Sequence, residues 1–315
     1  MRVEIGHKGL FSLIVDHGRK GWQREGFCQS GAMDSDAYNW ANFLACNLDN
    51  TPCIEAIGDM RLTVDSDCAI AVTGREATLS VNGESRRVYQ TQYIKAGDEI
   101  TFGSALFGAK AYLAICGNWY VPRAVGSACI VVRERLGGLD SKGSALETGN
   151  CFEINANDLQ QRMGHPRTLP PQCQFTYGFD APIHVTPGYQ FDNFSEVAKR
   201  IFETSPYTVS PSIDRMGFRL NGAPISSHIS QMRSEAIHIG AIQVPPDGQP
   251  IVMMRDRQTL GGYPKLGCVS PLDLDRLAQA VPGETVTFTF QNDEAARAEW
   301  LLATSRRRRL QGEIM

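Results

Sequence analysis

A mainly β protein, with two β-rich domains and a few helices, is what the sequence predicts, and three observations predict it. From about residue 53 to 155 the chain is a succession of short apolar runs of strand length rather than long stripes of period 3.6. Turn chemistry separates those runs: there are 30 glycines and 16 prolines in 315 residues, and Asn82-Gly83 and Asn221-Gly222 are strong hairpin signals. Clear helical periodicity is confined to three short segments and the tail.

Taken in order, residues 3–15 alternate loosely (Val3, Ile5, Leu10, Leu13, Val15) and predict an early strand or hairpin. A glycine-studded polar loop, residues 16–26, follows. Ser30-Gly31-Ala32-Met33-Asp34 then leads into a helix. Asp34 is a good N-cap, and Ala37, Trp40, Ala41 and Leu44 fall at i, i+3, i+4 and i+7. Capping is therefore a better reading of Asp34 than catalysis. Residues 69–73, 78–81, 87–89, 92–95, 99–102 and 110–116 read as strands of an antiparallel barrel or sandwich. A glycine-bearing loop, 136–146, comes next. Prolines 166, 170, 171 and 182 and the polar Gln160-Gln161-Arg162 mark 156–182 as a connection. The domains are accordingly 1–165 and 166–292, with a helical, basic tail over 293–315.

In the second half, residues 194–204 predict a helix, with Asn193 as cap and Glu196 completing a capping box. Residues 207–209 and 251–254 read as strands, 271–281 as a helix stopped by Pro282-Gly283, and 285–290 as a closing strand. The tail ends in Arg306-Arg307-Arg308-Arg309, which reads as a frayed, solvated end.

Composition narrows the function classes. Hydrophobic residues make up 42% and charged residues 21%, enough for a real core. A net charge of −3 gives no electrostatic footprint for nucleic acid or a membrane surface. No apolar run approaches the roughly 18 residues of a membrane span, and the N-terminus lacks the apolar stretch of a signal peptide. Nine scattered cysteines with no Cys-x-x-Cys pair read as reduced thiols and a cytoplasmic location. The six histidines do not cluster with them, so no metal site is read from the sequence.

Phosphate-loop, dinucleotide, zinc-protease and serine-hydrolase motifs are absent from the sequence. The chemistry concentrates instead in residues 240–267, GAIQVPPDGQPIVMMRDRQTLGGYPKLG, where a short apolar strand is flanked by two polar loops. Three polar groups stand out: Asp16, Arg19, Gln23 and Arg24; Asp214 and Arg215; and Asp247, Gln249, Asp256, Arg257, Gln258 and Lys265. Arginine offers a planar fork for carboxylate or phosphate, aspartate can orient it or act as a base, and glutamine suits an amide. Together they describe a site for an anionic, amide-bearing small molecule, with phosphate possible. His17 reads as a loop histidine and Cys28 as an ordinary small apolar residue.

Several of these stretches resemble a known family. They are Gly9-Leu10 through Gly21, Ser30-Gly31-Ala32-Met33-Asp34, Asp214-Arg215-Met216-Gly217, residues 240–250, and Asp256-Arg257-Gln258-Thr259 with Gly261-Gly262-Tyr263-Pro264. They resemble the allophanate-hydrolase-subunit-2-like proteins of the biotin-dependent carboxyltransferase family, over nearly the whole chain. That family includes the C subunit of bacterial 5-oxoprolinase, KipA, and one half of the carboxyltransferase domain of urea carboxylase. The resemblance implies a cyclophilin-like β-barrel architecture and tight association with a B subunit of similar fold, together with an A subunit. It implies that the assembled complex opens 5-oxo-L-proline to L-glutamate with ATP and Mg²⁺. In this chain it points to Asp256, Arg257 and Lys265 as catalytic and to Arg215, Asp247, Gln249, Gln258 and Arg19 as substrate-binding. Lys142 and Asn150 depart from the family pattern, which puts a role for residues 137–149 in doubt. The alternatives are a KipA-like regulatory binding protein, or a carboxyltransferase half that takes carboxybiotin and a urea-like amide. A Met-Lys-Met biotin-attachment motif is absent from these 315 residues.

Overall fold

Short alternating strands can bury a core only by stacking sheets or by closing one sheet on itself, and the chain does both. The computed structural model describes residues 1–156, 165–229 and 232–315; the Gln160-Gln161-Arg162 connection lies outside them. By its internal contacts the chain forms two compact units. One comprises Met1–Lys20, Ser30–Phe175 and Leu310–Met315, the other Gly21–Gln29 and Thr176–Arg309.

The first unit is a sandwich of two antiparallel sheets with a helix. The seven-stranded sheet runs Asn118–Tyr120, Cys151–Asn155, Arg2–His7, Met60–Val64, Glu99–Ser104, Ala77–Val81, Glu84–Ser85. The five-stranded sheet runs Phe11–Val15, Cys53–Ile57, Lys110–Ile115, Cys68–Gly74, Gln92–Ile94. Residues 3–15 are thus two strands, placed in different sheets. Val3 and Ile5 point inward while Arg2 and Glu4 face solvent, the period-2 pattern of a half-buried strand. Every residue of Lys110–Ile115 is buried, because the helix covers one face of its sheet and the other sheet covers the opposite face. Each aliphatic side chain sealed between those layers contributes about 1.5–3 kcal/mol.

The helix Ser35–Leu44 starts where the sequence places it. The Asp34 carboxylate accepts the Ala37 N–H, and Ala37, Trp40, Ala41 and Leu44 face the core. The hairpin turn at Asn82-Gly83 takes positive φ at both residues, +53° and +81°, and joins Val81 to Glu84. Residues 87–89 are not a strand: the chain bends there so that the Tyr89 hydroxyl reaches the backbone of Gly74.

The second unit is a barrel. Its eight strands follow the order Thr285–Val286, Tyr207–Ile213, Gly217–Gly222, Ile251–Met253, Ala241–Gln243, Lys265–Val269, Ile183–Pro187, Phe288–Phe290. The first and last strands are one continuous segment. Residues 285–286 pair with Tyr207 and Thr208, and residues 288–290 pair in parallel with Ile183–Val185. A single closing segment thus engages both sheet edges and removes them, which is how a small β protein avoids an open edge. Within the interior Phe202 stacks on Phe288, and Tyr207 meets Phe288 edge-on.

The helix at residues 196–204 is capped by Ser195, which accepts the Ala198 N–H, rather than by Asn193. Asn193 instead ends a 3₁₀ turn. The helix Pro271–Ala278 is capped by Ser270. The tail helix, Asp293–Ile314, does not fray: Leu310 and Ile314 pack against the core of the first unit. Among the described residues no helix is long and apolar enough to cross a membrane.

Candidate functional site

The strand pair Gly217–Gly222 and Ile251–Met253 carries most of the sequence candidates, and its register decides where they go. Gly217 lies opposite Met253 and Arg219 opposite Ile251. Arg215 and Asp256 therefore extend beyond one end of the pair, and Asp247 and Gln249 beyond the other. Candidates that share one stretch of sequence are separated by the length of the strand.

At the first end, Asp214 shapes the turn by accepting the Met216 and Gly217 N–H groups at 2.7 and 3.1 Å. The turn aims Arg215 at Asp256. The guanidinium donates from Nε to Oδ2 at 2.8 Å and from Nη2 to Oδ1 at 3.0 Å. Both side chains are buried, at 8% and 6% exposure. This bidentate geometry is the strong form of a charged hydrogen bond. It engages both carboxylate oxygens of Asp256. Backbone bonds from Asp256 N–H to the Arg215 carbonyl, and from Met254 N–H to the Met216 carbonyl, tie the same two loops.

Arg257 is 2% exposed and donates to the carbonyls of Ile237 (3.0 Å) and Met254 (3.4 Å). Burial pushes its pKa down to about 10, the nearby Arg255 charge adds to that fall, and Cys28, Cys268 and Asp256 oppose it. Arg255 lies 3.8 Å from Asp275. Gln258 is half-buried in the irregular segment after Arg257. The guanidinium of Arg257 thus holds the carbonyls of two loops together with a positive charge kept out of water.

At the other end, Asn221-Gly222 is not the hairpin turn the sequence predicts but the end of the strand Gly217–Gly222, paired with Thr208 and Tyr207, and Gln249 braces that strand end. Its Oε1 accepts the Gly222 N–H at 2.8 Å and its Nε2 donates to the Gly222 carbonyl at 3.2 Å. Asp247 pairs with Arg219 and accepts the Gln249 N–H. Both act in the turn Val244–Gln249, and each uses its polar atoms locally.

Lys265 lies at the same end, opposite Gln243 in the strand register. Its ammonium is 3.3 Å from Glu235 Oε2, an ion-pair contact without the alignment of a hydrogen bond. The same oxygen accepts from Gln190 Nε2 at 2.7 Å. Gln190, Gln243 and Lys265 are buried to 5%, 2% and 9% exposure. Gln190 Oε1, Gln243 Nε2 and Lys265 Nζ are sealed from solvent and make no hydrogen bond among the described residues. Each unsatisfied buried polar group of this kind costs about 1–3 kcal/mol. The sequence reading missed Gln190, Gln243 and Glu235. A glutamine ending an apolar strand was the visible signal for Gln243; Gln190 and Glu235 have none, since only folding brings them to Lys265.

Arg19 belongs to the first unit and is buried at 1% exposure. It donates from Nε to the Ala124 carbonyl (3.0 Å) and from Nη2 to the Cys129 carbonyl (2.6 Å). Its neighbour Asp16 is fully buried and accepts from Ser127 Oγ (2.6 Å), the Ala128 N–H (2.8 Å) and the Gly18 N–H (2.8 Å). Together they fold the loop after the strand Phe11–Val15 onto residues 124–129. Gln23 and Arg24 form a 3₁₀ turn at the surface, and His17 packs edge-on against Tyr38. A further buried network also escaped the sequence reading. Tyr112 donates to Glu55 Oε2 at 2.8 Å and accepts the Asp34 N–H at 2.8 Å, while Glu55 Oε2 also accepts the Met33 N–H. Burial pushes the Tyr112 phenol well above its ordinary pKa. These bonds hold Met33-Asp34 at the start of the helix.

Among the described residues no three His, Cys, Asp or Glu are grouped to hold a metal ion. The arrangement offers buried cations, a neutralised aspartate and a sealed cluster of amides with a lysine. Such a set can bind and polarise a neutral amide and stabilise developing negative charge.

Comparison with known proteins bears on which chemistry this is. Residues 25–290 match the family described as carboxyltransferase domain, subdomain A and B. A protein from Haemophilus influenzae, named as the C subunit of 5-oxoprolinase, is 32% identical over 281 residues, covering 88% of this chain and 87% of its own length. Its namesake from Escherichia coli is 29% identical over 290 residues, covering 91% and 90%. Among solved structures, TTHA0988 superposes with a TM-score of 0.80 at 30% identity over 91% of this chain. This chain spans about half of that one, 56% of its length. The Kluyveromyces lactis urea amidolyase gives a TM-score of 0.82 at 25% identity, over 94% of this chain but 19% of its own.

Proposed function

The chain belongs to the carboxyltransferase-domain family, subdomains A and B, and on that premise we propose that it is the C subunit of an ATP-dependent 5-oxoprolinase. The observation that carries the reading is one of extent. The relatives that bear that name match over nearly their whole length, whereas the urea amidolyase match engages 19% of that protein. Together with A and B subunits the chain would open 5-oxo-L-proline to L-glutamate.

The chemistry asked of such a protein suits its residues. A lactam carbonyl is a poor electrophile. Transfer of the γ-phosphoryl group of ATP to the lactam oxygen releases ADP and makes the ring carbon attackable by water; cleavage of the ring C–N bond then leaves γ-glutamyl phosphate, which a second water hydrolyses to glutamate and phosphate. Lys265 is assigned nearest the reacting amide, because its ammonium is buried and makes no hydrogen bond among the described residues. Asp256, Arg257 and Arg215 are assigned to the loop beyond the far strand end, where they fix its shape and its positive field. Asp247 and Gln249 shape the turn at the Lys265 end, with Gln258 in the irregular segment after Arg257. Arg19 organises residues 124–129 of the first unit. The residues here do not fit a Mg²⁺ site, lacking a three-ligand group among those described, so no step is assigned to the metal on this chain. Mg²⁺ would enter with the nucleotide in the assembled complex.

The test is glutamate release from 5-oxoproline and ATP by this chain mixed with the A and B subunits of its own organism, omitting each in turn. Release that needs all three supports the reading. No release from a well-formed complex containing folded A would overturn it. The similarity in fold to urea amidolyase favours a second reading, a carboxyltransferase half acting on a urea-like amide. That reading requires carboxybiotin, so avidin should abolish its turnover and leave 5-oxoproline opening intact.

A further inference from the structure

We propose that Gln190, Gln243 and Lys265 form a binding site for the N–H/C=O edge of a cyclic amide, covered by the ribbon of Glu235–Ala236 and Leu260–Gly261. The inference deepens the reading of the chain as part of an amide-opening enzyme and rests on it. It assigns the substrate edge to three side chains, two of which, Gln190 and Gln243, were not among the site residues read from the sequence.

The first argument is complementarity. The three unsatisfied atoms are one acceptor, Gln190 Oε1, and two donors, Gln243 Nε2 and Lys265 Nζ. A core that merely tolerated polar residues would pair them with each other or with backbone. Here a single oxygen, Glu235 Oε2, holds the Gln190 amide and the Lys265 ammonium on one side. That contact fixes which amide atom of Gln190 is left over: the NH₂ group is used and the carbonyl is spare. A ligand that satisfies all three presents one N–H and one carbonyl oxygen with two lone pairs. A ring amide does this from a single edge, because ring closure forces its N–H and C=O onto the same side. An ordinary trans peptide points them in opposite directions and cannot.

The second argument is position. Gln243 and Lys265 are cross-strand partners in the barrel, so the two donors are set by the sheet rather than by loops. Gln190 comes from the turn after Ile183–Pro187, a turn tied to the Lys265 strand by the bond from Gly188 N–H to the Leu266 carbonyl. Sites built on strands hold their geometry more closely than sites on loops.

The third argument is cover. The ribbon pairs Glu235 with Gly261 and Ala236 with Leu260, is anchored at its base by the bond from Ile237 N–H to the Thr259 carbonyl, and forms a sheet of its own apart from the barrel. Gly261 passes directly over the Gln243 amide: a Cβ there would lie 2.8 Å from Nε2. A short ribbon of this kind, bearing an exposed Leu260, is the element that lifts to admit a ligand and closes to exclude water. Glu235 belongs to the ribbon and pairs with Lys265, so closure also sets the lysine.

Two ring amides share this chemistry, the lactam of 5-oxoproline and the ureido ring of biotin. The experiment separates them. The full chain alone is titrated by calorimetry with 5-oxoproline, 2-pyrrolidone, N-methyl-2-pyrrolidone and 2-imidazolidinone, as wild type and as Gln243→Leu and Gln190→Leu. The expected result is binding of 2-pyrrolidone or 2-imidazolidinone by wild type, weakened about tenfold or more in each variant, the factor of one good hydrogen bond. N-methyl-2-pyrrolidone, which has no N–H to give, should bind weakly throughout. Gln243→Leu should also melt at higher temperature than wild type, because it removes an unsatisfied buried donor; Gln190→Leu also breaks the bond to Glu235 and is read by affinity alone. Preference for the lactams assigns the site to 5-oxoproline, and preference for 2-imidazolidinone assigns it to a ureido ring. Absence of binding to wild type, unchanged affinity in the variants, or a fall in the melting temperature of Gln243→Leu would overturn the inference. Turnover does not enter this assay. Failure of glutamate release with lactam binding intact would sink the 5-oxoprolinase reading alone, and the reverse outcome would sink this inference alone.

Discussion

Removal of the Asp256 carboxylate should destabilise the second unit far more than its place in a loop suggests. Asp256 accepts two charged hydrogen bonds from Arg215, at 2.8 and 3.0 Å, and both residues are over 90% buried. Asp256→Ala leaves a guanidinium in a site that water does not reach. Breaking a buried pair from one side costs about 3–5 kcal/mol, against a total stability of about 5–15 kcal/mol for an ordinary domain. Arg215→Met should cost a similar amount by stranding the carboxylate. The double variant Arg215→Met/Asp256→Leu should recover most of the loss, since neither charge is then left buried without the other. The backbone bonds between Asp256 and Arg215 and between Met254 and Met216 survive all three changes. Urea unfolding followed by far-ultraviolet circular dichroism gives the four stabilities and, through the double-mutant cycle, the coupling of the pair. A loss below about 1 kcal/mol in both single variants would place the pair in the range of exposed ion pairs and refute the argument that it locks the two loops.

Two further outcomes follow from the structure. Asp34→Ala should lose about 2 kcal/mol, the upper part of the range for an N-cap, because Asp34 is fully buried and its bond to the Ala37 N–H has no water to replace it; Asp34→Ser should retain most of the stability, as read by the same urea midpoints. The Cys268 thiol is pushed up by burial from 9.0 to about 11, with Arg257 opposing the rise. Its folded pKa lies above the unfolded one, so its contribution to stability is complete below pH 9 and falls away as pH rises towards 11. Cys268→Ala should flatten that decline in a series of urea midpoints taken across this window, and an unchanged slope would contradict the burial argument.

Much of the local structure was legible because its causes are local. Asn82-Gly83 makes a hairpin because two adjacent residues accept positive φ. Asp34 starts a helix because its carboxylate reaches an N–H three residues on. The one misplaced cap shows the limit of such signals: Asn193 and Ser195 are both good caps, and the 3₁₀ turn that consumes Asn193 decides between them. Arg19 shows another. Its glycine-rich, charged surroundings read as a solvated loop, yet the backbone carbonyls of Ala124 and Cys129, more than a hundred residues away, enclose it.

By itself the sequence determined the β-rich class, the Asn82-Gly83 turn, most helix starts and the concentration of polar chemistry around residues 240–267, whereas Asn221-Gly222, an equally good turn signal, is held as strand by its pairing with Thr208 and Tyr207. Only the tertiary structure decided how that chemistry divides. The register of Gly217–Gly222 with Ile251–Met253 sends Arg215 and Asp256 to one strand end and Asp247 and Gln249 to the other. Barrel closure by residues 285–290, which seals both sheet edges with one segment, has no local signal either. The grouping of Gln190, Glu235, Gln243 and Lys265 is of the same kind, because it depends on strands and turns that meet only when the sheet is assembled. Composition and periodicity report what each residue prefers, whereas a site of this kind is made by hydrogen bonds between strands distant along the chain.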